Sequence, residues 1–135
     1  MDAANWFSVV ILFLGLIVSV FSYREHCKNS KSSCYQTNIT NIQSIYSLLS
    51  LRDSEDGNVS LEEFESIVER ILNCYDCFCA DYLNGNIDKK RFEKNHKEDI
   101  RRLFENEHCK KKLDTRTTQY PNIVAVYDKL IKLKP

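Results

Sequence analysis

The hydrophobic pattern divides the chain into two unequal parts. Phe7 to Phe21 is an apolar run with no charged side chain, and Ala3, Ala4 and Trp6 extend it toward the N-terminus. A helix crossing a bilayer needs about 20 apolar residues, whereas the core of a signal peptide has about 7–15. The block therefore suits either an export signal or an anchor. Val20 and Ser22 stand three and one before a candidate cut that leaves Tyr23 at the new N-terminus. Asp2 precedes the block and Arg24, Lys28 and Lys31 follow it, with no basic side chain ahead. For a retained anchor, that bias places the following residues on the cytoplasmic side. A buried core helix is the weakest reading, because the block offers no polar face to water.

After residue 22 the pattern changes to amphipathic helix. Residues 40–51 carry Ile42, Ile45, Leu48 and Leu49 on one side. Residues 60–78 carry Leu61, Phe64, Ile67, Val68, Ile71, Leu72 and Tyr75 at the three-and-four spacing of a helix face. Ser60 followed by Glu63 reads as a capping box that starts this helix. Residues 88–107 form a third, narrower stripe through Phe92, Ile100, Leu103 and Phe104. Residues 121–133 form a fourth, opened by Pro121 and carried by Ile123, Val124, Tyr127, Leu130 and Ile131. Loops are expected at 52–59, 84–87 and 110–120. No period-two strand pattern occurs and Gly is scarce, which disfavours a β-sandwich. The expected fold is all-α: a hydrophobic segment over 1–22, then a single domain over 23–135 whose four stripes pack inward as a small four-helix-bundle-like body.

All six cysteines, Cys27, Cys34, Cys74, Cys77, Cys79 and Cys109, lie in that domain. An even number after an export signal reads as a disulfide set that braces a small core, with the pairing left open. Charge is also uneven. Residues 23–85 hold five Lys/Arg against ten Asp/Glu, and residues 86–135 hold fourteen against eight. Helices of opposite sign packed side by side account for this. The sharper alternative is a basic patch at Lys110, Lys111, Lys112 and Arg116 that meets an acidic partner or glycan. No nucleic-acid-binding motif is present.

One internal repeat stands out. Residues 53–64 lie over residues 81–92 without a gap, sharing an Asp, an Asp or Asn before Gly, then Asn, a branched apolar residue and a Phe five later. This skeleton resembles the calcium loop and exiting helix of the EF-hand family, in which the Gly permits a sharp turn and a final acid is a bidentate ligand. The resemblance implies weak calcium ligation by Ser54, Asp56, Ser60 and Glu63 in the first copy. Arg52 and Ala80 occupy the first-ligand position in the two copies, and Arg91 replaces the last acid in the second. The plainer reading is two Asp-Gly and Asn-Gly turns before capped helices.

Cys74-x-x-Cys77 with His108-Cys109 is a candidate zinc set should the domain face a reducing compartment. Asn38 and Asn58 head glycosylation triplets. His26, His96 and His108 lie in polar segments and read as solvated, and no nucleophile–base pair, phosphate loop or cofactor motif is apparent. Export signal, four helices, even cysteines and glycan sites together look like the layout of a short-chain helical cytokine. The expected function is thus a non-enzymatic, cofactor-free, secreted ligand for a receptor or partner protein. The alternatives are an EF-hand-like calcium binder and a single-pass membrane subunit of a larger assembly.

Overall fold

The computed structural model describes residues 3–54, 60–114 and 118–132, with side-chain surroundings given for residues 8–47 of the first stretch. Every regular element among these is helical: α1 (Ala3–Ser54), α2 (Leu61–Asn84), α3 (Lys89–Glu105), α4 (Glu107–Leu113) and α5 (Pro121–Tyr127), which passes into a π-helical turn over Asp128–Lys132. The all-α expectation holds.

The largest difference from the sequence reading is α1. In place of an apolar segment, a connector and a short helix over 40–51, one helix runs through the boundary at residues 22 and 23 without a break. The chain has no Pro before Pro121 and no Gly between Gly15 and Gly57, so nothing in that stretch forces a helix to stop. Its many short polar side chains, which often compete with helix, bond back onto the preceding turn instead. Thr37 donates to the Ser33 carbonyl at 3.0 Å, Asn38 to Cys34 at 3.1 Å and Ser47 to Gln43 at 2.9 Å. At 1.5 Å per residue, the 52 residues of α1 extend about 78 Å.

The other boundaries follow from their caps. Ser60 Oγ accepts from the Glu63 amide at 3.2 Å, as the capping-box pattern predicts. α2 runs six residues beyond the expected end at 78 and stops at Gly85, whose φ of 74° is the left-handed turn that favours glycine. Asp88 caps α3 by accepting from Arg91 N at 2.8 Å. Asn106 ends α3 and starts α4, its Oδ1 accepting from the amides of His108 and Cys109 at 3.0 and 3.1 Å. The loop expected over 110–120 is therefore helical through Leu113. α5 has no side-chain cap of its own. Asp76 of α2 serves instead, Oδ1 accepting from Asn122 N at 2.9 Å and Ile123 N at 3.1 Å.

The second half of α1 joins α2, α3 and α5 around one core. Leu72, Phe78, Tyr82, Ile87, Phe92, Ile100, Ile123 and Val126 are closed to solvent. α1 contributes the stripe Tyr35, Asn38, Ile42 and Ile45, at helical spacing. The centre is aromatic. Phe78 meets Phe92 edge-on at 4.8 Å and Tyr35 edge-on at 5.4 Å, and Tyr82 stacks on Phe92 at 4.7 Å.

Candidate functional site

Two features of this architecture bear on function: an apolar helical rod with nothing packed on it, and the joint that holds the rod to the domain. The rod is the first half of α1. Leu12 is 74% exposed, and Ile11, Phe13, Leu16, Val18 and Phe21 are similarly open. Large apolar side chains exposed around every side of a helix have no counterpart in a soluble core. α1 is the one described helix long and apolar enough to cross a membrane by length and composition. Residues 3–23 carry no charge, and as helix they rise about 30 Å, the thickness of a bilayer's hydrocarbon layer.

The joint begins at Cys34, within one turn of Lys31. Asp81, near the end of α2, receives Asn38 Nδ2 at 2.8 Å, the Cys34 thiol at 3.2 Å and Asn86 Nδ2 at 3.0 Å. Burial works to raise the Asp81 pKa. The bonds from Asn86, Asn38 and Cys34 outweigh it and hold the carboxyl below the ordinary aspartate value. Burial pushes the Cys34 thiol up, and the Asp81 charge pushes it further, so the sulfur keeps the proton it donates. One turn away, His96 of α3 bridges α1 and α3. Its Nδ1 lies 3.0 Å from Asp99 Oδ2 and its Nε2 2.8 Å from the Tyr35 hydroxyl, which also accepts from Asn95 Nδ2 at 3.3 Å. Tyr35, His96 and Asp99 thus form one hydrogen-bonded chain that ties α1 to α3. Tyr35 is 4% exposed, and the Asp99 side chain at the outer end of the chain is 37% exposed.

A groove opens at the opposite end of the domain. It holds about 290 Å³ and is lined by Tyr46, Phe64, Ile67, Ile71, Asp99 and Arg102, among others. Its walls are mostly apolar with a polar edge, the usual make-up of a recognition site, at the small end of the size range.

The cysteines differ from expectation. All six are free thiols, so no disulfide braces the core. Cys79 and Cys109 are buried, Cys27, Cys34 and Cys74 are half-buried and Cys77 is exposed. Packing of aromatic and branched side chains, with side-chain caps at the helix ends, supplies the cohesion assigned to sulfur bridges. Burial raises the pKa of Cys74, Cys79 and Cys109, and the neighbouring Cys77 and Asp76 add to it at Cys74 and Cys79 respectively.

The remaining sequence candidates are scattered. Ser60 is a helix cap and Glu63 lies in the first turn of α2. Ser54 ends α1, and Asp56 lies outside the described residues. In the second copy of the repeat, Asp81 to Asn84 belong to α2, and Asp81 is taken up by the joint. No group of three or more His, Cys, Asp or Glu side chains gathers among the described residues. Asn38 is 8% exposed with its amide given to Cys34 O and Asp81, so a glycan there would have to displace the joint. Asn58 lies outside the described residues. Lys110 and Lys111 are exposed, Lys112 bonds Glu69 at 2.8 Å, and Arg116 is outside the described residues.

Sequence reading missed the joint. His96 was expected in solvent and its side chain is 12% exposed. The available signal was the stripe Tyr35, Asn38, Ile42 and Ile45, visible only if the helix is started upstream of residue 40. Comparison with protein-family models gives no match, and neither does comparison with curated proteins or with solved structures.

Proposed function

We propose that this chain is a single-pass membrane-anchored protein, and that residues 23–135 form a non-catalytic helical binding module held on the cytoplasmic side. The observation that carries this reading is the unbroken course of α1, whose exposed apolar half continues in register into the half that builds the core. A cut after Ser22 would fall inside that helix. Arg24, Lys28 and Lys31 follow the apolar run, as basic residues do on the cytoplasmic side of an anchor. The groove at Tyr46, Phe64 and Ile71 lies at the end of the domain far from the apolar rod and is the surface offered to a partner protein.

The test is alkaline extraction of membranes from cells making the full chain, with intact mass of the product and thiol labelling in unbroken cells. Anchoring predicts retention in the membrane, a mass that includes residues 1–22, and labelling of Cys77 only by reagents that enter cells. A soluble, disulfide-linked product beginning at Tyr23 would establish the secreted-ligand reading in its place.

A further inference from the structure

Helix directions decide which charges face the apolar rod. Tyr75 of α2 shares a hydrogen bond with Tyr46 of α1, while Asp81 meets Cys34 and Asn38, so α2 runs antiparallel to α1. α3 runs back parallel to α1: the Arg91 guanidinium lies 4.1 Å over the Tyr35 ring, and Asp99 and Arg102 line the groove beside Tyr46. The α2–α3 turn and the start of α3 therefore form the end of the domain nearest the apolar rod. Lys89, Lys90 and Arg91 are exposed there. Lys129 arrives at the same end from the C-terminal segment, its ammonium 5.0 Å from the Tyr82 ring centre, with Lys89 5.8 Å from that ring. Arg24, Lys28 and Lys31 line α1 just beneath, all exposed.

The acids at this end are Glu25, Asp81, Asp88, Glu93 and, next to Lys129, Asp128. Four of them are engaged: Asp81 in the joint, Asp88 as the cap of α3, Glu93 by the Tyr82 hydroxyl at 2.7 Å, and Asp128 by Lys132 at 2.9 Å. The far end is mixed in sign: Glu62, Glu63, Glu65 and Glu69 lie in the first half of α2, with Lys112 paired to Glu69 beside Lys110 and Lys111.

We propose that the basic end of the domain, centred on Lys89, Lys90 and Arg91, rests on anionic lipid headgroups around the anchor. The proposal builds on the anchored reading above. Tyr35 stands about 18 Å along the helix from Tyr23, the last uncharged residue of the rod. The headgroup layer takes up about 6 Å of that distance. An extended lysine spans about half of what is left, and the remainder lies within the screening length of about 8 Å at physiological salt. Each basic side chain near such a surface gains attraction, and the effect fades with added salt.

The test uses the full chain reconstituted into vesicles of phosphatidylcholine alone and of phosphatidylcholine mixed with phosphatidylserine. A membrane-impermeant lysine-acylating reagent is applied, and each site is followed by peptide mass. Lys89 and Lys90 are expected to react about fivefold more slowly on the anionic vesicles, with the difference collapsing at high salt. Lys110 and Lys111, beside the Lys112–Glu69 pair at the far end, serve as internal controls and keep the same rate on both. Equal rates at Lys89 and Lys90 on the two vesicle types would overturn the proposal while leaving the anchor intact. Release of the chain from phosphatidylcholine vesicles by alkaline wash would overturn the anchor, and this proposal with it.

Discussion

Replacing Asp81 with Ala removes the acceptor on which α1, α2 and the following turn converge. In the native protein its carboxylate takes one thiol and two amide donors. A hydrogen bond to a charged group stabilises by about 1.5–3 kcal/mol when well buried. Asp81 is partly open to water, so each amide bond is better set at about 1 kcal/mol, and the thiol, a weak donor, at less. The variant also leaves one N–H of the Asn38 amide unpaired at a position 8% exposed, the other staying on the Cys34 carbonyl, which costs about 1 kcal/mol more. The expected loss is about 3 kcal/mol, a large share of the 5–15 kcal/mol typical of a domain, and a fall in melting temperature of about 10 °C or more. Chemical unfolding of the detergent-solubilised full chain, followed by near-ultraviolet circular dichroism of the buried tyrosines, measures it. The same site sets an acid limit. A carboxyl whose folded pKa lies below its unfolded value contributes stability above that unfolded value, and loses it as pH falls through the folded one. Wild-type stability should therefore decline below about pH 4 more steeply than that of Asp81→Asn, which keeps the shape without the charge. A destabilisation below about 1 kcal/mol in Asp81→Ala, or identical acid profiles for wild type and Asp81→Asn, would refute the joint as described.

Three further outcomes follow from the core, the turn and the thiols. Phe78→Ala empties the centre of the ring cluster formed with Tyr35 and Phe92, and should cost about 3–5 kcal/mol in the same unfolding assay. Gly85→Ala should cost about 1–2 kcal/mol from backbone strain alone, because φ is 74° and an added Cβ would meet only the Lys89 side chain, at 3.9 Å; a neutral result in thermal melts would exclude the left-handed turn. In timed alkylation read by peptide mass, Cys77 should react first and Cys79 and Cys109 only on unfolding. Cys34 should speed up in Asp81→Ala, where the charge that holds its proton is gone.

The amphipathic stripes of α2 and α3 were legible because their apolar positions recur at helix spacing, and Ser60 and Pro121 marked starts that the structure keeps. The end of α2 was less so, since Gly85 looks equally like a loop residue and like the residue that terminates a helix. α4 was hidden by Asn106, whose side chain both closes one helix and opens the next. Asp76 as the cap of α5 was beyond reach, because donor and acceptor are 46 residues apart. The cysteines misled for a related reason: an even count reports parity, while pairing depends on which sulfurs come within bonding distance after the helices pack.

By itself the sequence determined that the chain is helical, that residues 7–21 form an uncharged apolar run, and that basic residues follow it. Those are local properties, written in the order and type of neighbouring side chains. Tertiary structure decided that the apolar run and the domain share one helix, that Cys34, Asn38 and Asp81 meet, and that Lys89 and Lys129 lie at the end facing the rod. Each depends on the direction in which a helix returns across its neighbours, and that direction is fixed by the collective packing of the aromatic core, which no single segment encodes.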